Sequence, residues 1–291
     1  MAAAPSMGFL FEAEPERGIA LPVLPGIRRI VAPNPSAMTY WGTNTYLVDT
    51  PGGVLVLDPG PDDAAHAAAV LSQAGAPILG ILLTHTHHDH WGALATLRAQ
   101  TGAPVFAWHD PAIPGFVPDI VLRDGDLALG WTSLHTPGHA SDHLCFVRPD
   151  GTVFSGDHVM GWSSSVVGPP GGSMADYLAS LNRMLARDDQ IYLPGHGPAV
   201  PSPRPFVRAL VAHRVMREQA IARTLTLSPQ GVAVLTAQLY ADVSPMLRRA
   251  AERNVTAHLL KLRDEGRAHE TSEGWTRPPD ALSSAQAVLL S

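Results

Sequence analysis

The densest chemistry in the sequence is the run Thr84-His85-Thr86-His87-His88-Asp89-His90-Trp91-Gly92, which follows an apolar stretch at 78–83. Side chains two apart at a strand end point to the same side, so His85 and His87 can grip one cation. As the chain turns into the next helix, Asp89 and His90 swing round beside them, close enough for a second cation. Neutral imidazole and carboxylate suit zinc, and also manganese or iron, better than calcium or magnesium. Three later residues extend the set: His139 in Thr136-Pro137-Gly138-His139, Asp157 in Phe154-Ser155-Gly156-Asp157, and His196 in Leu193-Pro194-Gly195-His196-Gly197. Each follows an expected strand and adjoins glycine, where the missing side chain lets the backbone turn sharply and a ligand approach.

Such residues need a frame that brings strand ends together. From about residue 28 to 200, short runs rich in valine, leucine and isoleucine alternate with alanine-rich stretches and Gly/Pro turns, a mixed α/β rhythm. It predicts strands at 28–31, 45–49, 54–58, 78–84, 105–108, 132–135, 144–147, 152–155 and 191–193, and helices at 64–74, 93–101 and 174–186. Four prolines in 198–205 read as a rigid linker or a cap to the first domain. Beyond them, Leu247, Ala251, Val255, Leu259 and Leu262 mark one apolar helix face that Gly266 stops. A short hairpin is expected over 267–271 and 275–277. The expected domains are therefore 1–204, carrying the cluster, and a mostly helical 205–291.

Composition narrows the class. A chain of 291 residues with 45% hydrophobic residues can bury a sizeable core, so disorder is excluded as its dominant state. The longest apolar runs fall far short of the roughly 20 residues that cross a bilayer. Residues 1–18 have no basic stretch followed by an apolar one, and the expected location is cytoplasmic. Cys145 is the single cysteine, which rules out an internal disulfide and a thiolate metal cluster, and is read as a core residue. Net charge is −9 over 1–204 and +3 over 205–291, an acidic body that argues against broad nucleic-acid binding and a mildly basic tail. Of the other histidines, His66, His109, His258 and His269 are read as surface or helix-face residues, and His135 and His143 as strand packing beside His139.

With these residues in view, the chain resembles the metallo-β-lactamase fold superfamily, whose five motifs Asp58, His85, His87, Asp89, His90, His139, Asp157 and His196 match residue by residue. The resemblance implies an αββα sandwich with a first metal on His85, His87 and His139. A second metal falls to Asp89, His90 and His196, with Asp157 bridging and Asp58 as a buried support. Within the superfamily, Asn34-Pro35-Ser36-Ala37-Met38, Gly42-Thr43-Asn44-Thr45-Tyr46-Leu47, His213-Arg214 and Arg217-Glu218-Gln219 resemble the lactamase-beta-like endoribonucleases and their bacterial relatives. That group implies a small helical, winged-helix-like C-terminal domain. His88 and Trp41 depart from its pattern.

The chemistry implied is that of a dinuclear metal-dependent hydrolase, with two divalent ions, most simply zinc, about 3.5 to 4 Å apart sharing a water whose pKa they lower. The resulting hydroxide attacks, and Asp89 orients the water or takes its proton. The resemblance makes phosphodiester bonds of single-stranded RNA the leading substrate, with arginines of the tail as a guiding face. The alternative is a small thioester, lactone or ester, as in glyoxalase II-like or lactonase-like enzymes. A β-lactamase or a non-hydrolytic iron protein fits less well. Asn44 and Ser164 are the candidate substrate contacts, no membrane partner is expected, and a homodimer is left open.

Overall fold

The computed structural model describes residues 8–279, so part of the N-terminal stretch used to argue against an export signal, and the end of the tail, lie outside the described residues. One sheet has seven strands in sequential order: β1 (Leu21–Leu24), β2 (Ile27–Val31), β3 (Asn44–Thr50), β4 (Gly53–Leu57), β5 (Ile78–Leu82), β6 (Val105–Trp108) and β7 (Ile120–Leu122). The second has six, running from β8 (Leu127–Ala128) through β9 (Trp131–His135), β10 (Leu144–Val147), β11 (Thr152–Gly156) and β12 (Ile191–Pro194) to β13 (Val200–Pro201). Strand β4 is buried on both faces, which its alternation explains. Leu55 and Leu57 join Tyr46, Phe106, Trp131, Phe146, Phe154 and Leu193 between the sheets. Val54 and Val56 face the other way, where α1 (Ala64–Ala74) and, following the one-turn α2 (His88–Trp91) in the chain, α3 (Leu94–Thr101) cover the sheet through Ala67, Val70, Leu94 and Leu97. The expected αββα sandwich is the observed fold.

The pairing direction decides where chemistry can collect. Strands β4 and β5 pair in parallel through the crossover α1, and β11 and β12 in parallel through α4 (Met174–Leu185). Parallel strands deliver their C-terminal ends to one edge, the place where α/β sheets bind ligands. Asp58 follows β4, the histidine cluster follows β5, Asp157 follows β11 and His196 follows β12.

Four short strands, β1, β7, β8 and β13, had no sequence signal. They are edge or near-edge strands of two to four residues, too short to show an alternation. The proline-rich run is also not a bare linker. Pro201 ends the edge strand β13, where a missing N–H is tolerated. Pro203 opens a 22-residue helix, α5 (Pro203–Thr224), in whose first turn Pro203 and Pro205 cost no hydrogen bond.

The chain divides into two compact units, Met1–His213 and Arg214–Ser291, and α5 runs through the division. In the second, α6 (Val232–Leu239) and α7 (Arg248–Asp264) join the end of α5 around Ile221, Leu235, Val255, Leu259, Leu262 and Trp275. The hairpin of β14 (His269–Thr271) and β15 (Gly274–Thr276) completes it.

Two of the histidines read as surface or helix-face residues, His66 and His258, lie on the buried faces of α1 and α7. His66 lies on the inward face of α1, where its Nε2 meets the Thr45 hydroxyl at 2.8 Å, and that hydroxyl donates to the Asp58 carbonyl at 2.7 Å. Burial pushes its pKa down to about 4. A histidine neutral when folded but protonated when unfolded loses its stabilising contribution as pH falls below 6.5, down to its folded value. The metal-free protein should therefore lose stability between pH 6.5 and 4, with His66 contributing on the order of 3 kcal/mol. Urea unfolding of wild type and His66→Gln across that range checks this. An equal pH slope in both would remove His66 as a cause.

Candidate metal centre

Three imidazoles converge where β5 ends. His87 Nδ1 lies 2.9 Å from His85 Nε2 and 2.9 Å from His139 Nε2. Ordinary hydrogen bonding does not account for this. His139 Nδ1 is 2.7 Å from the Val166 carbonyl, so it carries the proton and leaves Nε2 bare. The Thr84 hydroxyl donates to Asp58 Oδ2 at 2.7 Å, so its oxygen accepts from His85 Nδ1 at 3.0 Å, and His85 Nε2 is bare as well. One proton on His87 Nδ1 can serve only one of these two lone pairs. Nitrogen lone pairs aimed at one point are what a cation takes.

A second group sits beside the first. His90 Nδ1 donates to Asp58 Oδ2 at 2.8 Å, and among the described residues its buried Nε2 has no partner at hydrogen-bond geometry. That Nε2 is 3.4 Å from Asp89 Oδ2 and 3.5 Å from Asp157 Oδ1. His196 Nδ1 donates to the Gly42 carbonyl at 3.3 Å, leaving Nε2 facing Asp89 Oδ2 and Asp157 Oδ2, each at 3.3 Å. Asp157 Oδ2 is also 3.6 Å from His139 Nε2. Asp157 thus reaches both groups, and its buried Oδ1 lacks a hydrogen-bond partner. His85, His87 and His139, and Asp89, His90 and His196, each bring their donor atoms within 4.8 Å of one another, a spacing that could hold a metal ion.

The backbone is shaped around these side chains. At Gly195 a Cβ would collide with Asp157 Oδ1 and lie 2.6 Å from His90 Cε1, so the approach of His196 requires glycine there. Gly156, at φ +48°, would put a Cβ 2.5 Å from His143 Nε2. Asp58 adopts φ 49°, a left-handed conformation that costs a non-glycine residue of order 1–3 kcal/mol. Its carboxylate accepts from the Thr84 amide at 2.8 Å as well as from Thr84 Oγ1 and His90 Nδ1.

The electrostatics split along the same line. Burial, reinforced by the neighbouring His90 and His87, holds His85 well below the ordinary histidine range, and burial lowers His87 and brings His139 down to about 4. All three are neutral and able to donate lone pairs. Burial also opposes charge on His90 and His196, but Asp89, Asp157 and Asp58 overcome it at His90, and Asp157 and Asp89 raise His196 to about 9. The same attraction from His90 and His196 holds Asp89 and Asp157 below the usual carboxylate range against their burial. The first group thus offers neutral imidazoles, while in the second the carboxylates hold His90 and His196 protonated, so a cation entering there takes the place of those protons between the same donors. Cys145 takes no part: it is buried, its thiol is pushed up to about 12 by burial, and it lies 3.3 Å from the Thr136 hydroxyl.

His87 and Asp89 face the exposed side, Asp89 with 27% of its side chain accessible, while His85 and His90 lie deep. Ser164 is in the half-buried loop whose Val166 carbonyl fastens His139. Asn44 is elsewhere: only 1% exposed, it donates to the Pro194 and Gly197 carbonyls at 2.8 and 2.9 Å, bracing the turn that carries His196. Its amide is spent on backbone, which leaves it no donor for substrate. Three supporting residues escaped sequence reasoning or were undervalued: Thr84, Thr43 and His143. Thr84 and Thr43 stood inside the quoted motifs, and adjacency was their only signal. His143 is no mere strand-packing residue, since its Nε2 accepts from the Asp157 amide at 3.1 Å.

A family model described as the metallo-beta-lactamase superfamily matches residues 38–196, and one for the beta-lactamase associated winged helix domain matches 232–275. The chain is 33% identical over 262 residues to a "Beta-lactamase-like protein 2 homolog" of Drosophila melanogaster, covering 82% of this chain and 88% of that protein. It is 33% identical over 221 residues to "Thioesterase pkgB" of Emericella nidulans, covering 71% of this chain and 63% of the thioesterase. Among solved structures, a metallo-beta-lactamase family protein from Thermus thermophilus superposes with a TM-score of 0.75 at 25% identity, covering 88% of this chain and 99% of its own.

Proposed function

Since the chain belongs to the metallo-beta-lactamase superfamily, generally metal-dependent hydrolases, we propose that it is a dinuclear hydrolase of a small thioester or ester. The observation that carries the dinuclear reading is the convergence of imidazole nitrogens and carboxylates in two adjoining groups, the first with bare lone pairs and the second with imidazoles facing the carboxylates of Asp89 and Asp157. In this reading His85, His87 and His139 hold one cation, Asp89, His90 and His196 the other, and Asp157 lies between. The donors are imidazole and carboxylate without thiolate, a set compatible with zinc, manganese or iron. When bound, such cations supply Lewis acidity, which makes water a nucleophile near neutral pH and offsets charge growing on a carbonyl oxygen. Asp89, at the accessible edge, orients the attacking water and receives its proton. Asp58 keeps the His90 ring turned so that Nε2 is the donor.

The acyl class is favoured by the similarity to a thioesterase and by the state of the tail. Lys261 is 2.9 Å from Glu218 and bound also to Glu265, Arg263 is 2.7 Å from Glu270, and Arg267 is 2.9 Å from both Glu218 and Glu265. Of the basic side chains expected to guide RNA, Arg248, Arg249, Arg253, Lys261, Arg263 and Arg267, the last three are thereby engaged within their own unit. Cleavage of single-stranded RNA rests on the sequence resemblance.

Elemental analysis of metal-replete protein should give two ions per chain, and chelation followed by reloading should abolish and restore activity. With the loaded protein, a panel of acyl thioester, lactone, β-lactam and single-stranded RNA should show hydrolysis of the thioester or lactone. Cleavage of RNA alone would overturn the acyl reading. One ion or fewer with full activity would overturn the dinuclear one.

A further inference from the structure

The carboxylate of Asp89 is gripped from outside the cation ligands. The loop between β2 and β3 ends at Thr43, whose side chain is fully buried and whose Oγ1 lies 2.9 Å from Asp89 Oδ2. Asn34, at the start of that loop, clasps Thr43 twice: its Nδ2 donates to Thr43 Oγ1 at 3.0 Å, and its Oδ1 accepts from the Thr43 amide at 2.9 Å. With the amide of Asn34 occupying its oxygen as acceptor, the hydroxyl has one proton to give, and Asp89 is where it goes. The backbone is committed to this closure. Gly42 sits at φ +137°, where a Cβ would strike the Ala32 carbonyl and lie 2.9 Å from Asn34 Oδ1. The Gly42 carbonyl receives His196 Nδ1, and the Thr43 carbonyl accepts from the Ala32 amide at 2.8 Å.

Oδ2 is also the Asp89 oxygen that faces the imidazoles, 3.4 Å from His90 Nε2 and 3.3 Å from His196 Nε2. We propose that Thr43, held by Asn34, is a positioning residue that fixes Asp89 Oδ2 towards the His90 and His196 nitrogens. The other oxygen is thereby left at the accessible edge for water. A carboxylate can otherwise rotate and exchange its oxygens, and a single directional hydrogen bond from a buried hydroxyl removes that freedom. The inference rests on the dinuclear reading of the site.

The test uses Thr43→Val, which keeps shape and removes the hydroxyl, and Thr43→Ser, which keeps the hydroxyl. Metal-free full-length proteins are titrated with cobalt(II), followed by visible absorption and by competition with a chelating dye, without substrate. The expected result is that T43V weakens one of two binding steps by about 10–100-fold, the range for groups that orient metal ligands, and leaves the other unchanged. T43S should stay close to wild type. A T43V titration that matches wild type, or T43S as impaired as T43V, overturns the inference alone. A wild type taking up fewer than two ions overturns the reading of the site and the inference with it. If T43V does not fold, Asn34→Ala decides by the same measurement, expected to weaken the same step; an unchanged titration overturns the inference.

Discussion

Asp157→Ala is expected to reduce hydrolysis by at least about a thousandfold, roughly 4 kcal/mol of lost transition-state stabilisation. Asp157 lies within 3.6 Å of ring nitrogens in both groups, reaching His90, His196 and His139. Its removal takes away the charge between them, so on the dinuclear reading an ion held by Asp89, His90 and His196 should be lost or weakened. The fold should survive, because the hydrogen bonds that tie Asp157 to the surrounding chain run through its backbone. Its amide donates to His143 Nε2, and its carbonyl accepts from the Ser165 hydroxyl at 2.5 Å, both untouched by alanine. Metal content, kcat/KM and thermal unfolding measured together separate these effects. Wild-type turnover in the variant would show that Asp157 does not belong to the reacting centre.

The second large effect falls on stability. Asp58→Ala would strand three buried donors, the Thr84 amide, the Thr84 hydroxyl and His90 Nδ1–H, in a place where Asp58 is only 3% exposed. Removing one partner of such a buried network costs about 3–5 kcal/mol, much of it from the groups left unpaired. Alanine also tolerates the left-handed conformation at this position less well than aspartate or asparagine does. Asp58→Asn should be milder, because asparagine accepts that backbone and keeps one acceptor oxygen, although its amide nitrogen only donates and can accept from none of the donors left facing it. Urea unfolding of the metal-free proteins should rank wild type above D58N above D58A. Metal affinity should fall in the same order as the His90 ring loses its orientation. If D58A matches wild type in unfolding, the carboxylate is not what holds β4 to the cluster after β5.

Which side chains gather at the candidate site is legible in the chain alone, because that information is local. Imidazole and carboxylate are visible as residue types, the apolar run before His85 marks a strand end, and glycines beside Asp157 and His196 mark turns too tight for a side chain. The mixed α/β rhythm and the apolar face of α7 were equally legible, since short apolar runs and a period of three to four residues lie within single elements, whereas the two-sheet sandwich came from the family resemblance. How those residues work together is set by contacts between distant segments. Asp58 meets Thr84 and His90 across 26 and 32 positions, Thr43 meets Asp89 across 46, and Asn44 meets the His196 turn across 150. Those contacts follow from parallel pairing of β4 with β5 and of β11 with β12, which no local pattern encodes. Tautomers, the rotation of Asp89, the burial of Asn44 and the pairing of Lys261, Arg263 and Arg267 all depend on atoms that arrive from elsewhere in the chain. A hydrogen bond has direction and a side chain has few donors, so what a residue can offer a metal or substrate is known only once its neighbours have taken their share.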